Sequence, residues 1–103
     1  MLIVFCTVPD NDTARTLARV LVKEKLAACC NIVPGLTSIY RWEGKIEEDS
    51  EHLLLIKTNR RTYSVLEKRL KELHPYDVPE IIAVNVEEGN HDYIKWVNDN
   101  VQS

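Results

Sequence analysis

Residues 29–58 read CCNIVPGLTSIYRWEGKIEEDSEHLLLIKT, and this stretch decides the fold. Two strand-like arms flank the pair Glu43-Gly44, and a two-residue turn that ends in glycine is typical of a β-hairpin. At roughly 3.3 Å per residue, an arm of about 13 residues spans about 40 Å or more. A compact domain of this chain length has a diameter of only about 33 Å. We therefore expect the hairpin to overhang its own domain.

The outer part of this hairpin carries apolar side chains, namely Ile39, Tyr40, Trp42 and Ile46. In a single chain these side chains and the unpaired strand edges would face water. A second copy of the chain is the simplest cover, so we interpret the hairpin as an oligomerisation arm. The pair at positions 34 and 35 is Pro-Gly and should interrupt or bend the first strand, because proline cannot donate to a ladder.

The rest of the chain alternates apolar runs with amphipathic segments. The run 2–8 predicts a buried strand, and 13–28 has the apolar spacing of a helix. A second helical stripe from Tyr63 ends before Pro75, and the β-branched run 81–86 predicts another strand. Asn90 is a suitable cap for a last helix, which should pack Tyr93, Trp96 and Val97 inward.

The predicted order is β-α-β-β-α-β plus a terminal helix. This order is the ferredoxin-like, split βαβ pattern, an α+β fold with one antiparallel sheet and two helices on one face. The long hairpin and the extra C-terminal helix are additions to it. The length of 103 residues predicts a single domain, 1–103.

Composition excludes several classes of protein. The chain is 45% hydrophobic with a formal net charge of −3, which gives no reason to expect a nucleic-acid partner. No apolar stretch approaches the ~20 residues that span a membrane, and no basic leader precedes the first apolar run. Three cysteines are an odd number and do not resemble a disulfide framework. We therefore expect a cytoplasmic protein with no membrane partner.

Few residues indicate chemistry by themselves. No histidine or cysteine spacing of a zinc site is present, nor any phosphate loop or nucleophile elbow. His74 lies at the end of the second predicted helix, where the dipole favours a protonated imidazole in a structural role. It also begins the proline-stiffened connector 74–80, which would hold it well as a ligand. Cys6 lies near the end of the first strand, and its simplest interpretation is core packing.

Five segments together resemble the CutA divalent-cation tolerance family and cover nearly the whole chain in order. They are FCTVP (5–9), EKLAAC (24–29), NIVPGLTSIY (31–40), WEGK (42–45) and HPYDVPE (74–80). The resemblance implies a ferredoxin-like subunit in a tight cytoplasmic homotrimer with interlocked hairpins, similar in plan to the PII signalling proteins. It also implies binding of divalent metals, copper above all, and a role in metal tolerance rather than catalysis.

The resemblance also suggests ligands. In the family, copper ligation is assigned to the first-strand cysteine and to the histidine of the His-Pro-Tyr motif, which match Cys6 and His74. Thiolate and imidazole suit copper better than magnesium or calcium. Some members have two consecutive histidines before the proline, and Leu73 occupies the first of these places here. One ligand of that set is therefore missing.

Two other interpretations remain open at this point. The protein can be a small-molecule sensor or enzyme, with a cleft between subunits lined by Trp42, His74, Tyr76 and Glu80. Alternatively, it can be a trimeric scaffold whose partner the sequence does not name. Metal ligands converging on one point would favour the metal-binding interpretation, whereas a cleft with convergent polar groups would favour the sensor.

Overall fold

A computed structural model describes residues 1–102, and Ser103, the last residue of the predicted domain, lies outside the described residues. The elements follow the predicted order. They are β1 (Leu2–Val8), α1 (Asn11–Lys23), β2 (Cys29–Trp42), β3 (Lys45–Thr58), α2 (Tyr63–Leu73), β4 (Ile81–Asn85) and α3 (His91–Asp99). The strands form one sheet in the order β2-β3-β1-β4, with every neighbouring pair antiparallel. The ferredoxin-like prediction is confirmed.

The core lies between one face of this sheet and the helices α1 and α2. Alternate residues of each strand point to the same face, so every second residue of β1 belongs to this core. The fully buried members include Val4, Cys6, Val8, Leu17, Leu21, Leu54, Ile56, Leu66 and Leu70. Of the residues that point the other way, Phe5 is half-buried, and Ile82 and Val84 are exposed. The second sheet face of a single chain is therefore apolar and largely open.

The hairpin has the predicted turn and the predicted interruption. Glu43 and Gly44 have φ values of 49° and 79°, and positive φ at both positions defines the type I′ turn whose twist matches the flanking strands. The pairing of β2 with β3 shifts register between Val33 and Leu36. Pro34 lacks an amide proton and Gly35 has a φ of 81°, so these two residues cause the interruption there.

The hairpin also overhangs the domain, as its length predicts. β1 pairs with β3 only from His52 to Thr58, so residues 45–51 pair with β2 alone. The molecule extends 45 Å along its longest axis and only 26 and 21 Å along the others. Ile39 and Ile46 are each 65% exposed in the overhang, and Trp42 is 54% exposed. No part of residues 1–102 covers this apolar surface.

Two details of the helices differ from prediction. α1 was expected to reach residue 28 but ends at Lys23, because Lys25 takes a φ of 60° and the Ala28 amide donates to the Lys57 carbonyl of β3.

The prediction that Tyr93 and Trp96 on α3 pack inward was wrong. They stack on each other, with ring centroids 5.8 Å apart, and are 41% and 45% exposed. The apolar stripe located the correct helix face, but of the three residues Tyr93, Trp96 and Val97, Val97 alone is buried by the described part of the chain.

We predict that Leu66→Ala lowers the free energy of unfolding by about 2–5 kcal/mol, because the side chain is fully buried between α2 and the sheet. Val65→Ala in the same helix is the control. Val65 is 52% exposed, so its truncation should change stability by less than about 0.5 kcal/mol. Denaturant unfolding at one fixed protein concentration measures both. Equal effects of the two substitutions would contradict this assignment of the core.

Candidate functional site

The connector 74–80 begins where α2 ends. His74 caps the helix in an extended conformation, with its own amide donating to the Leu70 carbonyl, and Pro75 prevents a further turn. The imidazole is 8% exposed. Its Nε2 lies 2.8 Å from the Thr7 carbonyl oxygen, and its Nδ1 lies 3.1 Å from the Tyr76 amide nitrogen. Both ring nitrogens are therefore engaged with the backbone.

These two contacts fix the tautomer of His74. The Tyr76 amide can only donate, so Nδ1 must carry a lone pair and Nε2 must carry the proton that it donates to Thr7. This is the neutral imidazole, not the imidazolium that a helix C-terminus favours. A metal at Nδ1 would displace the Tyr76 amide, and a metal at Nε2 would displace the Thr7 carbonyl. In this conformation His74 ties the connector to β1.

Cys6 belongs to the main core cluster and is fully buried. Burial first, and then the negative charges of Glu80 and Glu51, raise the pKa of its thiol from 9.0 to about 12. The thiolate, not the thiol, is the metal ligand, so this environment opposes coordination by Cys6. Its Sγ lies 3.8 Å from the Thr7 carbonyl oxygen, the same atom that His74 contacts.

The structure thus brings Cys6 and His74 into one neighbourhood, where both contact the Thr7 carbonyl oxygen. It does not surround that point with further ligands. Within residues 1–102, no group of three or more His, Cys, Asp and Glu side chains is arranged to hold a metal ion. Leu73, in the place of a possible second histidine, packs against the core instead. The assignment of Cys6 and His74 as copper ligands stays a prediction.

Trp42, Tyr76 and Glu80 meet at a cleft of about 610 Å³ between the hairpin and the connector. Its other lining residues are Thr7, Ser38, Ile39, Tyr40, Asp49, Glu51, Asp77 and Val78. The hairpin forms one wall because its outer half rises beyond the end of β1. The connector forms the other wall. His74 lies behind this second wall, with its ring centroid 4.7 Å from that of Tyr76.

Two tyrosine–carboxylate pairs organise the cleft. The Tyr76 hydroxyl donates to Glu51 Oε2 over 2.8 Å, and the Tyr40 hydroxyl donates to Asp49 Oδ2. Burial first, and then the bond to Glu51, raises the pKa of Tyr76. The bond to Asp49 raises the pKa of Tyr40 to about 12. Both phenols therefore stay protonated near neutral pH and act as hydrogen-bond donors to the carboxylates.

Sequence reasoning missed the carboxylates Asp49 and Glu51. The hairpin register could have identified Asp49. The turn at 43–44 places Tyr40 opposite Glu47, and Asp49 then lies diagonally across from Tyr40 on the same face. Glu51 lies on the turn side of the register shift, opposite Leu36, but the hairpin register does not specify which residue of the connector meets it. That contact depends on the path of the connector.

Comparison with known proteins decides the family. Residues 2–100 match the family model described as CutA1 divalent ion tolerance protein. The chain belongs to this family. The divalent-cation tolerance protein CutA of Thermus thermophilus is 55% identical over 98 residues, which cover 95% of each chain. A solved structure of the T. thermophilus protein superposes with a TM-score of 0.96 at 53% identity, over 99% of this chain and 100% of that one.

Relatives in this family differ in length and location. A chloroplastic CutA protein of Arabidopsis thaliana is 43% identical over 102 residues, and the match spans 99% of this chain but only 56% of that protein. The family is described by divalent ion tolerance rather than by a catalysed reaction. No helix within residues 1–102 is long and apolar enough to cross a membrane.

We predict that His74 is found as the Nε2–H tautomer at neutral pH, because the Tyr76 amide donates to Nδ1. Long-range proton–nitrogen correlation spectra of nitrogen-15-labelled protein distinguish the two tautomers. His91, whose side chain is 92% exposed, serves as the internal reference for a histidine free in water. An Nδ1–H signal for His74 would contradict the assigned hydrogen bonds.

Proposed function

We propose that this protein is a cytoplasmic homotrimer that binds divalent metal ions, copper foremost, and serves metal tolerance without catalysing a reaction. The observation that carries the proposal is the match of residues 2–100 to the divalent ion tolerance family. The near full-length identity of 55% to a protein named for divalent-cation tolerance supports it as well.

The trimer is supported by the uncovered apolar surface. The hairpin overhang and the open sheet face expose Ile39, Trp42, Ile46, Ile82 and Val84 within one chain. Exposed apolar groups on this scale are typical of a protein–protein interface. Three interlocked hairpins would cover both surfaces together. A cytoplasmic location agrees with the three free cysteines, since a reducing compartment keeps thiols reduced.

For copper, we propose His74 as the principal ligand and Cys6 as its thiolate partner. Their shared contact with the Thr7 carbonyl supports a common site. Coordination requires that His74 release one backbone partner and that Cys6 lose its proton. Copper binding should therefore strengthen as the pH rises, because metal and protons compete for the same ligands. We expect modest affinity, with water at the remaining positions.

A second candidate function is supported by the cleft. Trp42, Tyr76 and Glu80 line one cavity whose volume lies in the range of small-molecule sites. The two tyrosine–carboxylate pairs place several polar groups around this cavity. Convergent polar groups of this kind are expected of a ligand sensor. The cleft lies beside the overhanging hairpin, so a neighbouring subunit can contribute to it. We therefore propose small-molecule binding at this cleft as an additional or alternative role.

The trimer is tested by the molar mass in solution. Light scattering at micromolar concentration should give three times the chain mass of 11.9 kDa. The double variant Ile39→Lys, Trp42→Glu should weaken assembly, because it places charges on the hairpin surface. Val65→Lys, on the exposed side of α2, is the control and should leave the mass unchanged. A monomeric parent protein with an ordered hairpin would refute the proposal.

Copper binding is tested by calorimetric titration of metal-free protein. We predict that His74→Ala weakens binding more than Cys6→Ser does, because the buried thiol is the less available ligand. His91→Ala is the matched control, since it removes an exposed histidine and should have no effect. If His74→Ala binds copper as tightly and with the same stoichiometry as the parent, the site lies elsewhere. An equal loss of copper affinity in His91→Ala would indicate that copper binds to exposed histidines rather than at His74.

A further inference from the structure

The cleft between hairpin and connector carries charge of one sign. Four carboxylates line it, those of Asp49, Glu51, Asp77 and Glu80, and none of its lining residues within 1–102 is basic. The ion pairs of the described residues do not include any of the four. Their negative charge is therefore not compensated from within this part of the chain.

Glu51 distinguishes this cleft from a solvated acidic surface. The residue is only 8% exposed, and its one hydrogen-bond donor in the described structure is the neutral Tyr76 hydroxyl. A buried carboxylate without a cationic partner loses hydration that a neutral donor does not fully replace. A positively charged group in the cleft would supply the missing partner.

The other walls suit an organic cation. Trp42 and Tyr40 line the cleft and are 54% and 41% exposed within a single chain. Aromatic faces attract cations through the ring quadrupole. Ile39 and Val78 add apolar surface that can contact an alkyl chain. Aromatic, apolar and anionic groups thus share one cavity of about 610 Å³.

The spacing of the carboxylates argues against a bare metal ion. Within residues 1–102 they do not converge as a group of three or more metal ligands. A metal ion needs its ligands around one point, whereas an ammonium group donates up to three separate hydrogen bonds and an alkyl diamine carries two such groups. Carboxylates distributed around a cavity match the second arrangement.

We infer that this cleft binds a small organic cation that carries primary ammonium groups, such as an alkyl diamine. The inference rests on the proposed small-molecule role of the cleft and names its ligand class. A lysine side chain of a neighbouring copy presents the same ammonium chemistry. We infer that the ligand is a free amine, and the titrations below distinguish it from a lysine of a neighbouring chain.

The test is calorimetric titration of the full chain with cadaverine, and with pentanediol of the same chain length as the uncharged control. Cadaverine should bind in a saturable manner, and pentanediol should not. Glu51→Gln should weaken cadaverine binding about tenfold or more, because it replaces a charged hydrogen-bond acceptor by a neutral one. Glu88→Gln makes the same charge change at an exposed position outside the cleft and should have no effect.

Tryptophan fluorescence locates the bound amine. In Trp96→Phe, Trp42 is the only tryptophan, and its emission should change with the same midpoint as the calorimetric titration. If Glu51→Gln fails to fold by circular dichroism, Glu80→Gln replaces it, because Glu80 lines the cleft and is exposed. Unchanged affinity in the folded cleft variant would overturn the inference.

The remaining outcomes are equally decisive. Equal binding of pentanediol would leave the cleft a small-molecule site but overturn its preference for cations. Absence of cadaverine binding would overturn the inference. If binding then appears only in Ile46→Lys, a hairpin variant designed to dissociate the assembly without changing a cleft residue, a neighbouring chain occupies the cleft. None of these results bears on the copper titration, so metal binding is judged separately.

Discussion

The pairing of β3 on both of its sides is the constraint on which the rest of the structure depends. β3 pairs with β2 from Lys45 to Lys57, apart from the register shift, but with β1 only from His52 to Thr58. Its inner half is therefore a central strand, and its outer half is a two-stranded ribbon without further support. Isolated two-stranded ribbons are marginal in water. The outer half is accordingly the part of the chain that most needs a partner.

The same mismatch in strand length creates the cleft. Because β1 ends at Val8, the outer ribbon leaves an open side above the sheet, and the connector 74–80 closes it. The β1–β4 ladder ends at the pair Cys6–Ile81, and beyond it His74 bonds the Thr7 carbonyl. Tyr76 then reaches Glu51 on the hairpin. A chain of hydrogen bonds thus sets the distance between the two walls.

The sequence predicts the fold well where local patterns carry the information. The Glu43-Gly44 turn fixes the hairpin, and Pro34-Gly35 marks its irregularity, because both act through the backbone conformation of one or two residues. The helical stripe of α3 was less informative. It predicts which side is apolar but not what covers it, and the chain covers Val97 while leaving Trp96 exposed.

The candidate site was less predictable because its contacts join residues far apart in sequence. A cleft between subunits was expected, lined by Trp42, His74, Tyr76 and Glu80. Within one chain three of these line a cleft and His74 lies behind it, and their role as ligand-binding residues stays a prediction. The contribution of Glu51 depends on how the connector crosses the end of β1, which no local pattern specifies. Similarly, Cys6 contacts the Thr7 carbonyl as its chain neighbour, whereas His74 reaches the same atom from the end of α2, 67 residues away in sequence.

The costs of metal coordination differ between the two proposed ligands. For His74, coordination replaces one backbone hydrogen bond, a net loss of about 0.5–1.5 kcal/mol, or roughly tenfold in affinity at most. For Cys6, raising the thiol pKa from 9.0 to about 12 adds on the order of 4 kcal/mol to the cost of forming the thiolate. The larger cost lies in the buried core rather than at the connector. Copper coordination at His74 is therefore compatible with the fold as it stands, whereas coordination at Cys6 requires local opening of β1 or a neighbouring charge that stabilises the thiolate.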